Sequence, residues 1–312
     1  MPILRFIPDT TNINFVGARF VVFAIDGLLL LVAIAALWHN GFNLGIDFAG
    51  GVQMQVKSAQ TIDIGKLRSE IDTLHFKEAL PVYIGGGECN TPVNSCVQIR
   101  IRPDAAESGE AASQRVKNLL GPSYTMRKND VVGAKVSSEL LQSGILATVL
   151  AVVCIGLYVA FRFEWQYGVA AAVATGHDVM VTAGLFALFQ WDFNLTSVAA
   201  LLTLAGYSIN DTVVVFDRLR ENRRKYKRMP LAELINLSTN QMVTRTILTS
   251  VCTALSMIPL LIYGGPALFD FSAAILFGIV VGTFSSIYVA ACQLLYLPAP
   301  AGSIDAKAEA AT

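Results

Sequence analysis

Six apolar stretches dominate this chain of 312 residues, at 20–38, 141–161, 168–190, 195–216, 246–263 and 271–297. Each has about the twenty residues that a helix needs to cross the hydrocarbon core of a bilayer. A large soluble protein can bury one such helix, but six in one chain require lipid as part of the solvent. Composition agrees: 54% of the residues are hydrophobic and 15% charged, against roughly 25% charged in an ordinary soluble domain, and the mean hydropathy is +0.55. Lys plus Arg and Asp plus Glu each total 23, so the chain lacks the basic excess of a nucleic-acid binder. The first stretch follows Arg5 and Arg19, contains Asp26 and ends without a small-x-small cleavage site, so it reads as an uncleaved anchor.

Charge placement sets the expected topology. Arg218, Arg220, Arg223, Arg224, Lys225, Lys227 and Arg228 crowd the connection 217–245 between spans four and five, and Arg162 lies between spans two and three. The positive-inside rule assigns these loops to the cytoplasm, together with the N-terminal arm 1–19 and the tail 298–312. The opposite connections, 191–193 and 263–266, carry no Lys or Arg. The basic run reads either as a topology signal in contact with lipid headgroups or as a dock for a cytoplasmic partner.

The segment 39–140 then falls outside, and it balances 11 basic against 11 acidic residues, as a soluble domain does. Gly51-Val52-Gln53-Met54-Gln55-Val56-Lys57 alternates like a strand, 64–74 has helical spacing, and 82–84 and 96–101 read as strands. A second helix from about Ala105 to Leu120 and a last strand over 124–132 complete a βαββαβ order. The expected fold class is an α-helical polytopic membrane protein carrying one small α+β, ferredoxin-like domain. Cys89 and Cys96 flank a loop rich in Gly, Asn and Pro; on an oxidising side they can close a disulfide or remain two free thiols.

No nucleotide-binding loop and no nucleophile elbow occurs, and His39, His75 and His177 lack metal-ligand spacing, so the sequence predicts neither an enzyme nor a cofactor protein. The informative residues are ionisable groups placed in lipid, which are costly there and face a protein interior or a wet path. In span four, Tyr207, Asp211, Val214 and Arg218 share one helical face, flanked by Asn210. An unpaired carboxylate in hydrocarbon takes up a proton, whereas a nearby Arg or water favours the anion; Asp211, poised between the two, can load and release a proton. In span five, Arg245, Thr249, Thr253 and Ser256 form one polar stripe, expected to face Asp211. Arg245 is then either an alternating partner of Asp211 or a side chain that snorkels to headgroups. His177-Asp178, near the middle of span three, is a further candidate for proton handling, and Asp26 a weaker one. Gly278, Gly282 and Ser286 at four-residue spacing in span six read as a helix-packing seam.

Six motifs, in order along the chain, carry a resemblance. They are Gly45-Ile46-Asp47-Phe48-Ala49-Gly50-Gly51, Phe161-Arg162-Phe163-Glu164-Trp165, His177-Asp178-Val179, Gly206-Tyr207-Ser208-Ile209-Asn210-Asp211-Thr212, Asp217-Arg218-Leu219-Arg220-Glu221-Asn222 and Ser285-Ser286-Ile287-Tyr288-Val289-Ala290. Together they resemble the SecF branch of the SecD/SecF family, relatives of the resistance-nodulation-division transporters. One departure lies before span two, where 132–140 reads Val-Gly-Ala-Lys-Val-Ser-Ser-Glu-Leu and many relatives have Gly-Pro.

The resemblance implies a subunit that works with SecD, the SecYEG translocon and YajC/YidC in the bacterial inner membrane. There it draws on the proton gradient to pull or release translocating polypeptides on the outer side, after the SecA motor has acted. It assigns Asp211 to the proton path with Arg245 nearby. It makes Gly45, Asp47, Phe48, Gly50 and Gly51 a structural signature in which the glycines turn tightly and Asp47 caps or bonds that turn. In the expected mechanism, protonation of Asp211 breaks its pairing with the span-five stripe and the exported domain reorients; one charge crossing 100 mV supplies about 2.3 kcal/mol. Rival readings are a small-molecule or lipid exporter, which usually fuses two six-span halves, and a non-transporting scaffold, which gains little from buried charge.

Overall fold

The computed structural model describes residues 11–84, 89, 92–103 and 107–298. Arg5, Ala105, the first part of the N-terminal arm and the tail beyond 298 lie outside the described residues. After helix α1 (Arg19–His39) the chain makes a short strand β1 (Asn43–Leu44) and one helical turn α2 (Ile46–Ala49). The small domain then runs β2 (Gly51–Ser58), α3 (Ile64–Asp72), β3 (Glu78–Tyr83), β4 (Cys96–Arg102), α4 (Gly109–Leu120) and β5 (Tyr124–Val132).

Period-two alternation builds its core. Val52, Met54 and Val56 of β2 and Val97, Ile99 and Ile101 of β4 turn to one face of the sheet, where Leu67 and Ile71 of α3 and Ala112 and Val116 of α4 cover them. Asp63 caps α3 by accepting from the backbone N–H groups of Gly65 and Lys66, and Ser108 caps α4 through Ala111. The strands are antiparallel in the order β3-β4-β2-β5, the ferredoxin-like arrangement. The first strand of the hairpin begins at Glu78, earlier than the expected 82–84, and passes through Pro81. Proline is tolerated there because β3 lies at the sheet edge. Helix α4 begins at Gly109, after its Ser108 cap, rather than near 105.

The six apolar stretches become helices long and apolar enough to cross a membrane. They are α1, α5 (Ala134–Arg162), α6 (Trp165–Phe189), then, after strand β6 (Asp192–Phe193), α7 (Leu195–Lys225), α8 (Leu231–Tyr263) and α9 (Pro266–Ser285). A π turn at Ser286–Ala290 carries α9 on to Gln293.

The stretch 217–245, expected as a basic loop, is helical except for the five-residue turn 226–230. Charged residues are good helix formers and need no lipid. Cross-links hold the two extensions together: Arg218 Nε donates to Gln241 at 2.6 Å, and Asn222 donates to Ser238 at 3.0 Å and to Gln241 at 2.8 Å. Arg223 pairs with Glu164 at 2.5 Å, tying this end of α7 to the start of α6.

Candidate functional site

Helix α7 lies between two polar seams. The face that carries Tyr207, Asp211 and Arg218 runs along α8. Tyr207 donates to Ser250 at 2.9 Å, Thr249 donates to Asp211 Oδ1 at 3.4 Å, and Arg218 reaches Gln241. Asp211 is only 3% exposed, and its Oδ2 has no hydrogen-bond partner. A carboxyl held at one oxygen by a single long hydroxyl contact has room for a proton at the other.

The expected span-five stripe meets this face only in part. Thr249 reaches Asp211, but Arg245 and Ser256 are exposed, and the buried polar residues of α8 between Arg245 and Ser256 are Thr246 and Ser250, beside that stripe. Among the described residues Arg245 makes no ion pair with Asp211 within 4.0 Å. Asn210 is also exposed, and lines a groove with Cys154, Tyr158 and Gly206 between α5 and α7, away from Asp211.

The second seam joins α7 to α6 and α9. Gly278 and Gly282 lie against Leu204 and Ser208 so closely that a Cβ at Gly278 would sit 2.5 Å from the Leu204 side chain. Ser286 donates to the Ser208 carbonyl at 3.1 Å and accepts from Thr212 at 2.9 Å. Asp178 of α6 is fully buried at this junction: its Oδ2 accepts from Ser208 at 2.5 Å and from Ser285 at 2.7 Å, and its Oδ1 lies 3.1 Å from His177 Nδ1. One carboxylate thus bonds three transmembrane helices. Ser208 and Ser285 fall inside the motifs that carry the resemblance but have no sequence signal of their own, since a single hydroxyl within an apolar run does not stand out as a carboxylate does.

A third group of contacts ties the domain to the membrane end. Strand β1 pairs with β6 in parallel, and the Gly45 N–H donates to the Phe193 carbonyl at 2.8 Å. Phe42 stacks on Phe193 at 4.2 Å, and Phe48 lies tilted against it at 5.7 Å. Asp47 does not bond its own turn: its carboxylate accepts from the Leu195 backbone N–H at 3.0 Å, at the start of α7. An anion at a helix N-terminus satisfies an orphan donor and complements the dipole. Gly50 and Gly51 have φ of +73° and +129°, which only glycine adopts readily, and they turn the chain from α2 into β2. Arg100 of β4 donates to Asp192 of β6 at 2.8 Å within an ion pair. Burial pushes the Arg100 guanidinium down from its ordinary value, against the pull of Asp270 and Glu78, yet it stays cationic. The sulfurs of Cys89 and Cys96 are bonded, and Arg127 donates to Cys89 at 3.3 Å.

The chain as a whole resembles known proteins. The family described as protein export membrane protein SecD/SecF, C-terminal, matches residues 112–299, and the SecD/SecF GG motif matches 35–62. The protein translocase subunit SecF of Cereibacter sphaeroides is 41% identical over 99% of this chain and 97% of its own length. The translocase subunit SecDF of Brucella abortus is 38% identical over 94% of this chain, which spans 38% of that longer protein. The crystal structure of SecDF from Thermus thermophilus, a translocon-associated membrane protein, superposes with a TM-score of 0.81 at 35% identity, over 94% of this chain and 39% of that one. With family models matching residues 35–62 and 112–299 and a SecF relative alike over 99% of the chain, the chain belongs to the SecD/SecF family of protein export membrane proteins, on its SecF branch.

Proposed function

We propose that this chain is a SecF-type subunit that, with a SecD-type partner, uses the proton-motive force to promote the translocation and release of polypeptides exported across the bacterial inner membrane. Both termini lie in the cytoplasm and the ferredoxin-like domain in the periplasm. The SecYEG translocon and YajC/YidC complete the assembly, and the subunit catalyses no chemical reaction of its own. The observation that carries this reading is Asp211, buried in α7 with one oxygen unpartnered and the other touched only by Thr249. A proton there changes the charge of a helix whose first turn is bonded to the domain entrance through Asp47. Arg245 stands close enough to bias that charge, while His177 and Asp178 handle protons on the opposite side of α7.

The reading is supported from the partner's side by the fused relative, in which a chain like this one forms the smaller share of a SecDF polypeptide. The test is gradient-driven export in inverted vesicles carrying Asp211→Asn in a complex shown to assemble. The expected result is loss of at least about tenfold in the proton-gradient-dependent component, equivalent to about 1.4 kcal/mol of lost coupling, with gradient-independent export retained. Undiminished gradient stimulation removes Asp211 from the mechanism.

A further inference from the structure

Asp26 of α1 is the most isolated buried charge among the described residues. It is 5% exposed and neither carboxylate oxygen has a hydrogen-bond partner. Its nearest titratable neighbour is His177 of α6, whose Nε2 lies 4.0 Å from Asp26 Oδ1 and is likewise unpartnered; both side chains are 8% exposed. On the other side of the ring, Nδ1 faces Asp178 Oδ1 at 3.1 Å. Asp178 already accepts two hydroxyl bonds at Oδ2, so it is the acceptor here and Nδ1–H the donor. Hydrogen bonding at one imidazole nitrogen sets the tautomer, so the neutral ring presents the Nε2 lone pair to Asp26. Two buried groups 4.0 Å apart, each without a hydrogen-bond partner, are a costly arrangement unless a proton is bound between them.

We infer that Asp26, His177 and Asp178 form a second proton-binding site, in which one proton is shared between the Asp26 carboxyl and His177 Nε2 across the contact of α1 with α6. In one form, with the two side chains closed from 4.0 Å to hydrogen-bonding distance, Asp26 O–H donates to the Nε2 lone pair. Transfer breaks that O–H bond and forms Nε2–H, leaving an Asp26 carboxylate beside an imidazolium whose other face is held by the Asp178 carboxylate. The shift conserves charge within the triad and needs no co-reactant. Loss of the proton leaves two carboxylates and a neutral ring, and the attraction between α1 and α6 goes with it.

The charges acting on Asp26 are those of His177 and Asp178, and those acting on His177 are Asp178 and Asp26. Ser208 of α7 and Ser285 of α9 add only hydroxyls, and Asp211 turns instead to Thr249 of α8. The site is therefore distinct from Asp211, although Ser208 lies one turn from it on the same helix. Helix α1 packs tightly on α6, with Gly184 directly against Ala33, and leads straight into β1 and the domain entrance. A proton at Asp26 and His177 thus regulates how firmly the arm that carries the domain is held to the bundle.

This inference rests on the reading of His177 and Asp178 as proton-handling groups, and its test is independent of export. The full chain in lipid nanodiscs, labelled with ¹⁵N-histidine, gives signals from only three histidines, His39, His75 and His177. Across a pH series, Asp26→Asn should reduce the doubly protonated population of His177 about tenfold at a given pH. Asp26→Glu should restore it, and Asp211→Asn should leave it unchanged. Infrared difference spectra of the unsubstituted chain should show a buried carboxyl band that titrates in step with His177. A His177 population indifferent to Asp26→Asn, or moved as far by Asp211→Asn, overturns the site. If Asp26→Asn does not fold, the absence of a carboxyl band linked to His177 overturns it instead. Failure of the export test with this titration intact would reject the coupling of Asp211 and leave the second site standing.

Discussion

Gly51 sits at φ +129°, and a methyl group there would lie 2.6 Å from the carbonyl oxygen of Ile101 in the neighbouring strand. Gly133, with φ of −74° and nothing within 4 Å of an added Cβ, is its natural control. Gly51→Ala should destabilise the domain by about 2 kcal/mol or more, since a strained backbone and a displaced strand add, while Gly133→Ala stays within about 0.5 kcal/mol; thermal unfolding in detergent compares the two. The Cys89–Cys96 bond closes a loop with a sequence separation of 7. Replacing both cysteines with serine should cost about 2 kcal/mol of domain stability by the loop-closure argument, read in the same assay. Asp211 was legible in the sequence because a carboxylate within an apolar run is conspicuous. Its relation to Arg245 was not: helical spacing places both residues on facing helices, but only side-chain packing decides that Thr249 makes the contact and Arg245 points outward.

At the scale of elements, α7 is the helix through which everything is connected. One face bonds α8, the other bonds α6 and α9, and its first turn is held by Asp47 and by the β1–β6 bridge. Asp47→Ala removes an acceptor from a helix N-terminus, which costs about 1 kcal/mol. Amide exchange should therefore quicken about fivefold at Leu195 and its neighbours, with the middle of α7 unaffected. The Arg100–Asp192 pair is mostly buried, with side chains 22% and 29% exposed. Asp192→Asn leaves the guanidinium short of its counter-charge, and a loss of about 1–3 kcal/mol is expected. The readout is faster exchange across Asn43–Leu44 and Asp192–Phe193, and a charge-reversed pair, Arg100→Asp with Asp192→Arg, should recover part of it. The βαββαβ order was legible because apolar alternation survives in the two central strands, β2 and β4. The extent of α7 and α8 was not, since their ends are polar and only the bonds between Arg218, Asn222, Ser238 and Gln241 reveal that two helices continue past the apolar runs.

For the whole molecule, the chain is a membrane protein that spans a little over a third of the fused SecDF relatives. Mild solubilisation followed by affinity capture of this chain should bring down a SecD-type partner; a self-sufficient homo-oligomer would favour the exporter reading. Hydropathy, charge bias and strand alternation were properties of the sequence alone, and they determined that six helices lie in lipid and that one ferredoxin-like domain hangs from them, because the solvent preference of each segment is local. The glycine signature was equally legible, since only glycine accepts those backbone angles. Tertiary structure alone decided the polar contacts: Asp47 reaching α7, Ser208 and Ser285 meeting on Asp178, and Asp26 coming to face His177 from a helix some 150 residues away along the chain. Such contacts depend on how helices rotate and approach one another, and that is settled by side-chain packing and small residues at the interfaces rather than by any periodicity within one helix.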